Sequence, residues 1–266
     1  MSSQTALEHL LEMLPGESRQ TLETQEMRHK VVSRAEWIEA RKRLLEKEKQ
    51  FTRLQDQLTT ECRALPWVKV EKVYTFEGPN GKETLVDLFA GRSQLIIFHF
   101  MFGPGWQEGC VGCSFGADHI DGIVVHLENH DVSFVAVSRA SFPKIEAFKK
   151  RMGWRFKWVS SCGSDFNYDY HVSFTPEEVA RGKAYFNYEL CDDIMEEHNG
   201  TSMFYRDNSG TVFHTYSVYA RGSEMVGGVY GYLDHLPKGR NETGPNYNLT
   251  DWVRRHDEYE NSQKPG

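Results

Sequence analysis

The stretch Gln94-Leu-Ile-Ile-Phe-His-Phe-Met101, followed by Cys110-Val-Gly-Cys113, decides how the rest of the chain is read. Leu95 to Phe98 is a short continuous apolar run and reads as a buried strand. Phe102 to Gly109 carries the Gly/Pro punctuation of a turn, and about Ser114 to Leu127 reads as a helix. Two thiols two residues apart are thus delivered by a strand to the start of a helix. Amide N–H groups and the helix dipole favour a thiolate there, and the thiolate is the reactive species. The same spacing also ligates zinc, but no second C-x-x-C and no H-x₃₋₅-H completes a four-ligand set. The expected chemistry is thiol–disulfide exchange, with Cys110 attacking and Cys113 resolving, against the alternative of an inert or degenerate pair. Gly109 and Gly112 beside the thiols leave room for another backbone to approach.

Composition limits the other classes. The 266 residues are 39% hydrophobic, 26% charged and 13% aromatic, with a net charge of −7. That balance has no basic footprint for nucleic acid or an anionic membrane. No stretch reaches the roughly 18–20 apolar residues of a membrane span, and residues 1–30 lack a basic-then-apolar signal pattern. The expected location is cytoplasmic, where five cysteines are not a disulfide framework. Cys62, Cys162 and Cys191 are isolated in sequence and read as small buried hydrophobes.

Residues 1–30 read as a mobile leader and 31–66 as a long helix, with the main domain over 67–238 and a polar, frayed tail over 239–266. In the helix, Ser33 and Glu36 form a capping box, Trp37, Leu44, Phe51 and Leu58 recur every seven residues, and the remaining face is dense in charge. This amphipathic stripe either packs on the domain or forms a homodimer seam through residues 33–62. Beyond Pro66, a hairpin turns at Gly78-Pro-Asn-Gly81, and Leu85 to Phe89 lead to the strand at Leu95. The helix after Cys113 runs to near Asn129, Val132 to Val137 is a second buried strand, and Pro143 to Met152 is a helix. A second hairpin turns at Arg206-Asp-Asn-Ser-Gly210, and a last helix spans about Gly222 to Leu233. Strand, dithiol, helix, strand, helix, hairpin, helix implies right-handed crossovers and a central sheet flanked by helices.

Several motifs then form a recognisable series: Gln94-Leu-Ile-Ile-Phe-His-Phe-Met-Phe102, Cys110-Val-Gly-Cys-Ser-Phe115, Val137-Ser-Arg-Ala140, Lys150-Arg-Met-Gly-Trp154, Ser164-Asp-Phe-Asn167, Phe213-His-Thr-Tyr216, Tyr219-Ala-Arg-Gly222 and Tyr232-Leu-Asp-His-Leu-Pro-Lys-Gly239. The chain resembles, over about residues 31–240, the thioredoxin-like family catalogued as domain of unknown function 899, whose members are commonly labelled predicted dithiol–disulfide oxidoreductases. The resemblance implies an α/β fold with a thioredoxin-like central mixed sheet flanked by helices, preceded here by the long amphipathic helix. It is distantly similar to peroxiredoxins, but the position three residues before Cys110, where those carry Thr or Ser, is Gln107. Gly200-Thr-Ser-Met203 has no proline where thioredoxins place one facing the dithiol.

Around Cys110 and Cys113, five residues are candidates for substrate contact or support. His99 on the entering strand is a proton acceptor for the resolving thiol or a hydrogen-bonded core histidine. Trp106 is an aromatic wall or ordinary packing, and Glu108 flanks the dithiol. Arg139, after the second buried strand, holds an anionic group or forms a structural salt bridge. Ser202 lies in the segment facing the dithiol. Asp118 and His119 read as a solvated helix face, and the aromatic run Phe166 to His171, with Phe186 and Tyr188, as core or as a ligand pocket. The expected activity is thiol–disulfide exchange without organic cofactor or metal, on a protein or small-molecule disulfide, re-reduced by a cellular thiol system. The alternatives are a non-catalytic thioredoxin-fold binding protein and, third, a thiol peroxidase.

Overall fold

Two apolar runs, Leu95-Ile-Ile-Phe98 and Val132 to Val137, are hydrophobic on both faces of an extended chain, the pattern of central parallel strands. The computed structural model describes residues 30–192, 194–222, 228–236, 239–240 and 242–259; of the expected leader over 1–30, residues 1–29 lie outside them, as do the last residues of the tail. Within these, residues up to Leu65 form one unit and those from Pro66 onward another.

The first unit contains α1 (Arg34–Arg63). Its capping box is present: Glu36 N–H donates to Ser33 Oγ at 3.3 Å, and Ser33 N–H donates to the Glu36 carboxylate at 3.0 Å. Trp37, Leu44, Phe51 and Leu58 lie exposed along the helix. Among the described residues no helix is long and apolar enough to cross a membrane.

The second unit runs β1 (Val68–Lys69), β2 (Thr75–Gly78), β3 (Gly81–Thr84), β4 (Gln94–His99), α2 (Val111–Ile120), α3 (Val124–Asn129), β5 (Val132–Ser138), α4 (Phe142–Arg151) and β6 (Lys157–Ser160). It continues with α5 (Phe166–Asp169), α6 (Pro176–Arg181), β7 (Lys183–Phe186), β8 (Glu189–Asp192), β9 (Gly200–Arg206), β10 (Val212–Tyr219) and α7 (Gly228–Leu233). Eight strands form one sheet in the order β1-β10-β9-β4-β5-β6-β2-β3, while β7 and β8 pair separately. β4, β5 and β6 are parallel neighbours; β9 pairs antiparallel with β4, and β10 with β9. The β4–α2–β5 unit beside the β9–β10 hairpin is a thioredoxin-like core, widened by β6, β2 and β3 at one edge and by β1 at the other.

Strand alternation splits the core in two. Phe98, Phe134, Ala136 and Trp158 face α2 and α4, where Cys113, Ala117, Ile120, Ile145 and Phe148 meet them. Leu95, Ile97, Val135, Val137, Val159 and Phe204 face the other way, onto Tyr74, Phe76, Leu88, Phe89, Phe166 and Tyr170.

Three expectations change. The helix after the dithiol is broken: Asp121 turns its carboxylate onto the Arg155 and Phe156 N–H groups at 2.6 and 3.0 Å, Gly122 follows, and α3 restarts at Val124. β6 and the β7–β8 hairpin, four residues per strand, were not apparent as strands; β6 takes its conformation from its parallel neighbour β5. The polar tail is not frayed over 242–259. Val253 is 1% exposed there, and 3₁₀ turns form at Leu249–Asp251 and His256–Glu258. Of the expected helix from Gly222, residues 228–233 are helical and 223–227 lie outside the described residues.

Candidate active site

Cys110 is the N-cap of α2, and Cys113 lies in its first turn. The loop that carries them is fixed from β4 outward. Phe100 N–H donates to Val137 O at 3.0 Å, Cys110 N–H to Met101 O at 3.0 Å, and Ser114 Oγ to Cys110 O at 2.8 Å. Both thiols are unbridged, Cys110 half-buried and Cys113 buried.

Their environments push the two thiols in opposite directions. Cys110 is pulled down to about 6, chiefly by a hydrogen bond from the Cys113 side chain, with the Cys113 and Gly112 N–H groups and the Arg255 charge adding to it against the cost of burial. Burial pushes Cys113 well above the ordinary thiol range; sharing that proton with Cys110 and the nearby Glu197 carboxylate act in the same sense. Met101 N–H donates to Cys113 Sγ at 3.4 Å. Anionic Cys110 in front of protonated Cys113 is the arrangement a nucleophile and a resolving thiol require.

The other sequence candidates divide between the two faces of the sheet. Trp106 packs at the edge of the dithiol-side core, and Glu108 pairs with Arg151 and, at 2.9 Å, with Arg255. Arg139 is committed to a buried cluster: Nε donates to Glu197 at 2.8 Å, Nη2 to Glu196 at 2.6 Å and Nη1 to the Tyr168 hydroxyl. Glu197 also accepts from Ser173 Oγ at 2.7 Å. The dithiol loop passes close to this cluster at Gly103, where a Cβ would stand 3.3 Å from Glu197 Oε1. Arg139 is therefore the salt-bridge member of its two readings.

His99 and Ser202 are not at the dithiol. Ser202 stands opposite Ile97 in the β4–β9 register, so both side chains belong to the face away from α2. There His99 Nε2 meets Ser202 Oγ at 2.7 Å, Ser202 Oγ meets Ser217 Oγ at 2.7 Å, and Ser217 Oγ meets His214 Nε2 at 2.7 Å. His99 stacks on Phe166 and Tyr170 and is held neutral, down to about 3, by burial first and the charge of His214 second. His99 thus lies on the opposite face of the sheet from Cys113, away from its proton. The aromatic run is likewise core: Phe166 and Tyr170 are buried, and Tyr168 bonds Arg139.

Some functional neighbours were not apparent in the sequence. Arg255 Nη2 donates to Gly109 O at 2.8 Å. Asp118, expected to be solvated, accepts from Trp154 Nε1 and from His256 Nδ1, each at 2.7 Å, and His119 Nε2 accepts from Val229 N–H at 3.2 Å. The local signal was Trp252-Val253 inside an otherwise polar tail. Cys162, expected to be buried, is exposed on a turn where Gly163 takes a positive φ of 77°. Among the described residues no group of three or more His, Cys, Asp or Glu gathers as a metal site would require.

The glycines beside the thiols are occupied by the protein itself. A Cβ on Gly109 would stand 2.6 Å from the Phe100 ring and 2.9 Å from that of Phe148. Gly109→Ala is expected to destabilise the fold by about 1–3 kcal/mol through overpacking, read as a lower denaturation midpoint; an unchanged midpoint rejects the packing described.

Solved structures with a similar course of chain include peroxiredoxin Q of Xanthomonas campestris, at 15% identity and TM-score 0.41, covering 58% of this chain and 85% of that one. The peroxidoxin BcpB of Mycobacterium tuberculosis matches at 14% identity and TM-score 0.41, covering 61% and 91%. The mitochondrial 2-Cys peroxiredoxin of Plasmodium falciparum matches at 14% and 0.36, covering 63% and 91%. No curated protein matches the chain. The model of the family described as bacterial proteins of unknown function, DUF899, matches residues 26–259, and the chain belongs to that family.

Proposed function

We propose that the protein is a thiol–disulfide oxidoreductase working through Cys110 and Cys113. The observation that carries this reading is the placement of the pair: Cys110 half-buried as the cap of α2 and Cys113 buried one turn behind it, an arrangement that favours the anion at Cys110 and the protonated thiol at Cys113. The Cys110 thiolate attacks one sulfur of a substrate disulfide, forming a mixed disulfide and releasing the other substrate sulfur as a thiolate. Cys113 then gives its proton to the substrate thiolate just released and attacks Cys110. This closes a Cys110–Cys113 bond and releases the second substrate thiolate. The substrate gains two electrons and the protein loses two. A cellular dithiol or thiol returns them by the same exchange, in keeping with work in a reducing cytoplasm. No organic cofactor enters the cycle.

Forming the mixed disulfide removes the Cys110 thiolate, whose hydrogen bond and charge help keep Cys113 protonated alongside burial. The resolving thiol therefore becomes easier to ionise once Cys110 is capped, which times the second attack after the first. A redox titration of the intact protein, with mass mapping of the bonded cysteines, tests the reading. A single two-electron transition that joins Cys110 to Cys113 is expected. Thiols that stay unpaired under oxidising buffers, or that pair elsewhere, reject it.

A further inference from the structure

Sulfur attack on a disulfide needs an approach along the S–S axis. A half-cystine within a polypeptide brings chain on both sides of that axis. The surface before and after the nucleophile must then be open, and here one segment of the protein's own chain covers both sides. On the Gly109 side, Arg255 caps the backbone carbonyl at 2.8 Å and lies over the Phe148 ring at 5.7 Å, held by Glu108 and Glu258, each at 2.9 Å. On the Gly112 side, the Leu249 methyl would stand 3.3 Å from a Cβ, with Cys110 Sγ at 3.8 Å from the same point. The side chain that Gly112 lacks therefore makes room for Leu249.

The segment is anchored along α2 rather than at one point. Trp252 meets Phe115 at 6.1 Å between ring centroids, His256 bonds Asp118 at 2.7 Å, and Val253 is buried. Arg151 ties its far end, bonding Asp257 at 2.7 Å and Glu258 at 3.1 Å. Cys110 stays half-buried, with Leu249 beside Gly112 and Arg255 on the Gly109 carbonyl.

We propose that residues 249–258 wall the dithiol so that Cys110 attacks low-molecular-mass disulfides and not disulfides carried in a polypeptide; this rests on the dithiol chemistry proposed above. The exchange is the one already written: the Cys110 sulfur bonds one substrate sulfur, the substrate S–S bond breaks, and the leaving thiolate carries away the electron pair. A compact disulfide needs only the exposed part of the Cys110 sulfur. A polypeptide collides with Leu249 on one side and Arg255 on the other.

The test compares reduction of cystine and of insulin by the full chain, each as kcat/KM with a chemical dithiol as electron donor. Cystine is expected to be favoured by about a hundredfold, and Leu249→Ala is expected to narrow that ratio about tenfold by raising the insulin rate. Insulin reduced as readily as cystine by the unaltered protein overturns the inference and leaves the dithiol reading standing. Failure to reduce either disulfide overturns both. A measurement that needs no variant stands beside it: Cys110 in the unaltered chain should react with iodoacetamide but far more slowly with a polymer-linked maleimide. Equal relative rates, referred to a free thiol, overturn the wall.

Discussion

Replacing Cys110 with serine is expected to lower disulfide reduction by about a thousandfold or more, because a hydroxyl is not ionised at neutral pH and cannot form the mixed disulfide. The same substitution should remove the alkylation that proceeds below pH 7. In the unaltered protein the alkylation rate should rise with pH through an inflection near 6, the point at which the Cys110 thiolate forms. The sign follows from the charge: the helix N-terminus and its neighbours favour the anion, so the reactive form appears at lower pH than for an ordinary thiol. Cys113 supplies the largest part of that effect through its hydrogen bond. Cys113→Ala, which loses the donor, should move the inflection upward, whereas Cys113→Ser, which keeps an O–H donor, should move it less. An inflection that stays near 6 in Cys113→Ala rejects the hydrogen bond as the cause. Cys113→Ser should also accumulate the mixed disulfide, detectable by intact mass.

Arg139→Met is expected to cost about 3–5 kcal/mol of stability at pH 7, the range for breaking a buried ion pair from one side. For a chain of this size that corresponds to a fall in melting temperature on the order of 10 °C. The Arg139 and Glu197 side chains are only 9% and 1% exposed, so solvent screens the pair little. Burial holds the Glu197 carboxyl above its ordinary value, while the Arg139 charge and the Ser173 hydroxyl pull the other way. Without Arg139 the carboxyl rises further. A raised carboxyl favours the fold below the ordinary carboxylate range and loses that contribution as pH climbs through its folded value. The stability difference between Arg139→Met and the unaltered protein should therefore shrink toward pH 4 and be full at pH 7. Adding Glu197→Gln should recover most of the loss, since no uncompensated charge remains. A pH-independent difference, or no recovery in the double variant, rejects this account. Because Gly103 lies against Glu197, Arg139→Met should also slow Cys110 alkylation by displacing the loop that carries it.

Much of the core was legible because its signals are local. The apolar runs of β4 and β5, the Arg206–Gly210 turn of the β9–β10 hairpin and Pro143 at the start of α4 each depend on residues within one element. The dithiol at a strand-to-helix turn was legible for the same reason: a helix N-terminus creates its field within a single turn. His99 and Ser202 were not, because adjacency in sequence to a site strand leaves open which face is covered by α2. Strand parity puts His99 behind the sheet, where Ser202 and His214 share its hydrogen-bond chain. Arg139 was visible as a charge after a buried strand, but its partners Glu196 and Glu197 come from a segment 57 and 58 residues later.

The tail was the largest misreading, and its cause is chemical. Arg255, His256, Asp257 and Glu258 look solvated by composition, yet each makes its contact through a polar tip: to Gly109 O, Asp118 and Arg151. Apolar periodicity cannot register contacts of that kind. The sequence by itself determined the thioredoxin-like order of strands and the position of Cys110-Val-Gly-Cys113 at a helix start, because both follow from short-range pattern and helix electrostatics. Only the tertiary structure decided how deeply each thiol is buried and what surrounds the pair. Those depend on Arg255, Leu249 and Glu197, brought to the site by folding across long separations that no local pattern encodes.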